Sequence, residues 1–131
     1  MIAIDTNILV RYFVRDDPEQ AARAKRFIDV ELSESDPGFV AVVALVELDW
    51  VCQRAYRFMP AEVHDAIKKL LETRQIVVER AEIVELALAH SNRDLADGLI
   101  HFIGAEAGCD RTITFDRTFA RLPGVELLES S

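Results

Sequence analysis

Short apolar runs alternate with longer amphipathic stretches along this chain. Five runs have the length and character of buried strands: MIAI at 1–4, FVAV at 39–42, IVVE at 76–79, TITF at 112–115 and VELL at 125–128. Between them, apolar residues recur at helical spacing. Ile8, Leu9, Tyr12 and Phe13 mark a helix after the first run. Asp17-Pro18-Glu19-Gln20 supplies an N-cap, a proline at the first helical position and a glutamine at the third. That helix is expected to continue through Ala21, Ala22, Ala24, Phe27 and Ile28, and Asp36-Pro37-Gly38 is a breaker before the next strand. Leu45, Leu48, Trp50, Val51 and Cys52 predict a further helix, and Pro60 opens another with Val63, Ile67, Leu70 and Leu71 on one face. AEIVELALAH at 81–90 reads as a helix. Ser91-Asn92-Arg93-Asp94 reads as a capping cluster for the helix that runs on to Gly108. DRTFARL at 116–122 is short enough for one or two helical turns.

Strands that alternate with helices predict crossover connections and a parallel sheet covered on both faces, the α/β class. With 131 residues, half of them hydrophobic, the chain matches one domain with one core, and the expectation is a single domain over 1–131. MIAIDTN has no basic leader segment, and FVAVVALV is far shorter than a membrane span. Cys52 and Cys109 fall in apolar, helix-like patterns and read as small buried hydrophobes of a reducing, cytoplasmic protein. Neither GxGxxG nor GxxxxGK[ST] occurs, which excludes the common dinucleotide and P-loop sites. The net charge of −8 argues against broad electrostatic attachment to nucleic acid and points to a small recognition site or a basic partner.

Four acids stand at element boundaries. Asp5 closes the first apolar run, Asp116 closes TITF, Glu47 interrupts the most hydrophobic stretch, and Asp97 lies in the first turn of DLADGLIHFIGAEAG. The carboxyl ends of parallel strands share a rim where ligands bind. Acids converging there repel by roughly 4 kcal/mol per pair at about 4 Å and an effective dielectric of about 20, so a hard cation such as Mg²⁺ or Mn²⁺ is the economical partner. Each acid also has a plainer reading. Asp5 serves equally as an N-cap, Glu47 as the polar edge of its helix with Asp49 and Arg54, Asp97 as a dipole-favoured acid after Asp94, and Asp116 as a turn residue beside Arg117. His64 and His90 read as polar-edge residues on different helices, while His101 sits one turn from Asp97, more in keeping with a packed or solvated ring.

Asp5-Thr6-Asn7, Glu47 in VALVEL, Asp97 in DLADGLI and Asp116 in TFD resemble the PIN domain ribonucleases, and within them the VapC-type toxins of toxin–antitoxin modules. The resemblance covers nearly the whole chain. It implies a three-layer α/β/α sandwich with a mostly parallel central sheet. It implies that Asp5, Glu47, Asp97 and Asp116 bind Mg²⁺ or Mn²⁺ and direct water at an RNA phosphodiester, with Asn7, Asp94 and Thr114 in support. Leu9, Tyr12, Phe13, Phe27, Ile28, Trp50 and Tyr56 are more apolar residues than the early helices need against one sheet, which suits a groove for a partner's amphipathic segment, with ordinary core as the alternative. The resemblance implies that this partner is a cognate antitoxin and that a homodimer forms through the later helices. Ala41, where Ser or Thr is frequent, and Gly98, where Ala is usual, depart from the pattern. Other classes fit less well. An aspartyl-phosphate phosphatase wants a second Asp where Asn7 stands, and a receiver module wants a late lysine, whereas the last one here is Lys69. A metal-dependent phosphohydrolase or a catalytically inactive PIN-fold binding module are the remaining alternatives.

Overall fold

The structure is a computed structural model that describes residues 1–90 and 94–129. All five expected strands form: β1 (Ile2–Ala3), β2 (Gly38–Val40), β3 (Ile76–Val78), β4 (Thr112–Thr114) and β5 (Val125–Leu127). Helices α1 (Thr6–Phe13), α2 (Pro18–Arg26), α3 (Val42–Arg54), α4 (Pro60–Glu72), α5 (Ala81–His90) and α6 (Leu95–Glu106) alternate with them. Ser91, Asn92 and Arg93 of the expected capping cluster lie outside the described residues. The chain divides into two compact units, Met1–Ala81 and Glu82–Ser131.

The first unit is built on a three-stranded parallel sheet in the order β1-β2-β3. Ile2 stands opposite Gly38, and Gly38 opposite Ile76, so the carboxyl ends of the strands share one edge. The ladder continues into that edge, where Ile4 N–H donates to Phe39 O and Glu79 N–H to Val40 O, both at 2.9 Å. Helix starts follow from sequence. Asp17 accepts from Gln20 N–H at 3.1 Å above Pro18, and Glu62 accepts from Met59 N–H at 3.0 Å below Pro60. Helix α2 ends in a π-turn over Phe27–Glu31, where Leu32 N–H reaches Phe27 O. Leu9, Ile28, Val40, Leu45, Leu48 and Ile67 are wholly buried in this unit.

The second unit holds α5, α6 and a two-stranded parallel sheet, β4-β5, in which Thr112 stands opposite Val125. Gly98 explains its departure from the usual Ala here. A Cβ at this position would lie 2.9 Å from Ala87 Cβ and 3.0 Å from Ala87 Cα, so the close approach of α6 to α5 requires glycine.

Several sequence expectations are corrected by burial. Both residues of β1 are exposed, because β1 is an outer strand of its sheet and only Ile4 beyond it reaches the core. Ile113 and Phe115 around β4 are exposed too. Cys109 lies beyond the end of α6 and is exposed, whereas Cys52 is buried as expected. Asp49 and His64 are both buried, with His64 Nε2 3.6 Å from Asp49 Oδ1 and Gln53 donating to Asp49 at 2.8 Å. Helical spacing assigned them to polar edges because it cannot tell a solvated face from a polar pair enclosed between helices.

Among the described residues, no helix is long and apolar enough to cross a membrane.

Candidate functional site

In the first unit, Asp5 ends the β1 segment in extended conformation and caps α1, its Oδ1 accepting from Thr6 N–H at 2.7 Å. Thr6 is buried, and its hydroxyl donates to Glu47 Oε1 at 2.9 Å, 41 positions along the chain on α3. One threonine therefore orients both acids: its amide holds Asp5 and its hydroxyl holds Glu47. Glu47 itself is exposed; the acid that α3 buries is Asp49, two residues on. The cap reading of Asp5 and a ligand role do not compete, because the cap engages one carboxylate oxygen and leaves Oδ2 with no hydrogen bond among the described residues. Asn7, one residue further along α1, is exposed.

The start of α3 shows how this edge tolerates Ala41. That residue occupies the N-cap position and has no side-chain oxygen to offer. Glu79, just past β3, accepts from Val42 N–H at 2.9 Å and caps the helix from a neighbouring strand. Sequence inspection had no means of pairing residues 37 positions apart.

In the second unit, Asp116 follows β4 and folds its own loop. Its Oδ1 accepts from Thr118 N–H at 2.8 Å and Phe119 N–H at 3.2 Å, and its amide donates to Thr114 Oγ1 at 3.0 Å. Thr114, expected in support of the acids, thus accepts from the Asp116 amide and does not touch its carboxylate. Asp94, at the N-cap position of α6, and Asp97, in its first turn, line one open cavity of about 220 Å³ together with Asp116. Sequence reading missed two other side chains on that cavity, His90 and Arg121. Arg121 sits in the 3₁₀ turn Phe119–Arg121 that Asp116 initiates. Its signal in the sequence was a cation five residues beyond an acid at a strand end. His101 instead shares a 2.8 Å hydrogen bond with Thr112 Oγ1 and packs edge-on against Phe102, a structural role.

Among the described residues, no three His, Cys, Asp or Glu side chains gather closely enough to form a complete metal cage. The donor chemistry nonetheless fits a hard cation. The donors are carboxylate oxygens without sulfur, and Mg²⁺ is usually held by one or two carboxylates while it keeps most of its waters. Asp5, Glu47 and Asp116 each have one oxygen fixed by a donor of the protein and the second oxygen spare, the kind of orientation by outer hydrogen bonds that tunes metal ligands.

The sequence was compared with known proteins. No curated protein gives a significant match. The PIN domain family matches over residues 2–125, nearly the entire chain and all four acids. The parallel strands, the six helices and the acids at strand and helix ends agree with a PIN-like α/β/α fold, and the chain belongs to the PIN domain family.

Proposed function

We propose that this chain is a metal-dependent endoribonuclease, the toxin of a toxin–antitoxin pair, with Asp5, Glu47, Asp97 and Asp116 as its metal-binding and catalytic acids. PIN domains are generally nuclease-like and metal-dependent. The observation that carries the reading is buried Thr6, whose amide bonds Asp5 and whose hydroxyl bonds Glu47, so that two acids far apart in sequence are held by one residue.

Bound Mg²⁺ or Mn²⁺ would lower the pKa of a water, screen the phosphate and stabilise the leaving oxygen. The chain's own groups do the positioning. Thr6 fixes the separation of Asp5 and Glu47, so neither carboxylate loses rotamer freedom when a cation arrives. Asp116 is locked by its loop amides. Arg121 brings a fixed positive charge to the cavity of Asp94, Asp97 and Asp116, where it can pair with a phosphate oxygen that the acids alone would repel. We further propose that the two units act as one functional domain.

For partners, we propose a small antitoxin encoded alongside and a homodimer through the later helices. Exposed Leu86 on α5 and Ile100 on α6 support the dimer. Co-expression with the neighbouring reading frame and light scattering test both; a lone monomer would exclude them. The activity is tested by incubating pure protein with a panel of structured RNAs. Endonucleolytic fragments with Mg²⁺ or Mn²⁺ and none with EDTA are expected. Intact RNA under every metal condition would contradict the reading.

A further inference from the structure

The first unit contains a groove of about 760 Å³ between α1 and α2, well within the size of sites that enclose organic ligands. Two helical stripes form it. Asn7 and Arg11, four residues apart, line it from α1. Gln20, Arg23 and Phe27 line it at spacings of three and four from α2 and the turn that ends it, joined by Arg26 and by one acid, Glu31, so the charged lining is three arginines to one carboxylate with Arg11. Arg11 is already engaged, bonded to Asp16, Gln20 and Tyr56. Arg23 and Arg26 are exposed and make no ion pair among the described residues. A chain of net charge −8 thus keeps two uncommitted guanidinium groups on one groove.

The groove also reaches the helix start that Asp5 caps. Asn7 lines its wall and lies two residues beyond Asp5 on the same helix start. A ligand bound along Arg23 and Arg26 would meet, at the Asn7 end, the segment that carries the first acid. Phe27 is half-buried and offers a ring edge or face against which a base could stack.

We propose that the α1–α2 groove holds a single-stranded RNA, with Arg23 and Arg26 contacting its phosphates and Phe27 packing on a base. The proposal rests on the ribonuclease reading and names where its substrate lies. It also answers the charge objection: an acidic protein can bind a polyanion through a local cationic track, with affinity that falls steeply with salt.

The test is fluorescence anisotropy with a labelled single-stranded RNA in EDTA, where cleavage is silent, across a salt series. Arg23→Ala/Arg26→Ala should bind about tenfold more weakly than wild type at low salt. Its slope of log affinity against log salt should fall by about 1.4, two contacts at about 0.7 each for a single strand. Lys68→Ala/Lys69→Ala on α4 should match wild type, and circular dichroism should show both variants folded. Unchanged affinity and slope in the arginine double variant would overturn the proposal. So would unchanged RNA binding with loss of an acidic amphipathic helical peptide, which would give the groove to a protein segment. Failure of the parent reading looks different: wild type would bind RNA in this arginine-dependent way yet leave it intact with every metal.

Discussion

The two units hold their acids by different means. In Met1–Ala81, Asp5 and Glu47 are tied through buried Thr6, and the helices that carry them rest on a core in which Leu9, Leu45 and Leu48 are wholly enclosed. In Glu82–Ser131, Asp116 is held by neighbours within three residues, and Asp94, Asp97 and Asp116 line an open cavity; Phe115, next to Asp116 in sequence, is 80% exposed. The first unit fixes its carboxylates over a long sequence separation; the second does so locally. The lesson is that rigidity at a candidate site can come either from a packed scaffold or from a self-capping turn, and the two should respond differently to mutation.

Leu48→Ala should show the largest effect on stability. It opens a cavity in the core under Glu47, and a loss of about 2–5 kcal/mol in denaturant unfolding is expected. Little change would mean that the first unit is not the scaffold described. Gly98→Ala comes next. The added methyl would lie 2.9 Å from Ala87 Cβ and 3.0 Å from its backbone, which cannot retreat as a flexible side chain would. A loss of about 1–3 kcal/mol is expected, despite the better helix propensity of alanine. A stabilised variant would show that α5 and α6 are not in that close contact.

Glu79→Ala should cost about 1 kcal/mol by uncapping α3, and Ala41→Ser in that background should recover part of it. Equal effects of Ala41→Ser with and without Glu79 would argue that the distant cap contributes nothing. The cysteines sharpen the same contrast of packed and open regions. Burial, with Asp49 as a lesser cause, pushes the Cys52 thiol up to about 11. The neutral thiol is therefore favoured in the folded state. Its contribution is intact below about 9 and lost as pH rises through about 11. Iodoacetamide at pH 8 should modify exposed Cys109 and spare Cys52. Rapid modification of Cys52 there would mean that the first core opens readily. Phe115→Ser should change stability least, by under about 0.5 kcal/mol, because its ring is mostly in water already.

Much of the architecture could be read from the chain because local signals agreed with the final contacts. Asp17-Pro18-Gln20 and Pro60-Glu62 start their helices as capping rules demand, and the five apolar runs each became strands. What escaped was whatever depends on distant partners. Helical spacing put Asp49 and His64 on solvated edges, yet they enclose each other between α3 and α4. Glu79 as the cap of α3, Thr6 as the link to Glu47 and Arg121 on the acidic cavity are each set by tertiary placement. For the acids themselves, sequence posed a choice between cap and ligand. Hydrogen bonding shows the local role of Asp5 and Asp116, which engages one oxygen of each.

The proposal most worth testing is that Asp5 and Asp116 each take part in binding a divalent cation. Calorimetric titration with Mn²⁺ of wild type, Asp5→Asn and Asp116→Asn tests it directly, with circular dichroism as the control for folding. Mn²⁺ binding is expected in wild type and is expected to weaken about tenfold or more on either substitution alone. Mn²⁺ binding that survives unchanged in either variant would contradict it.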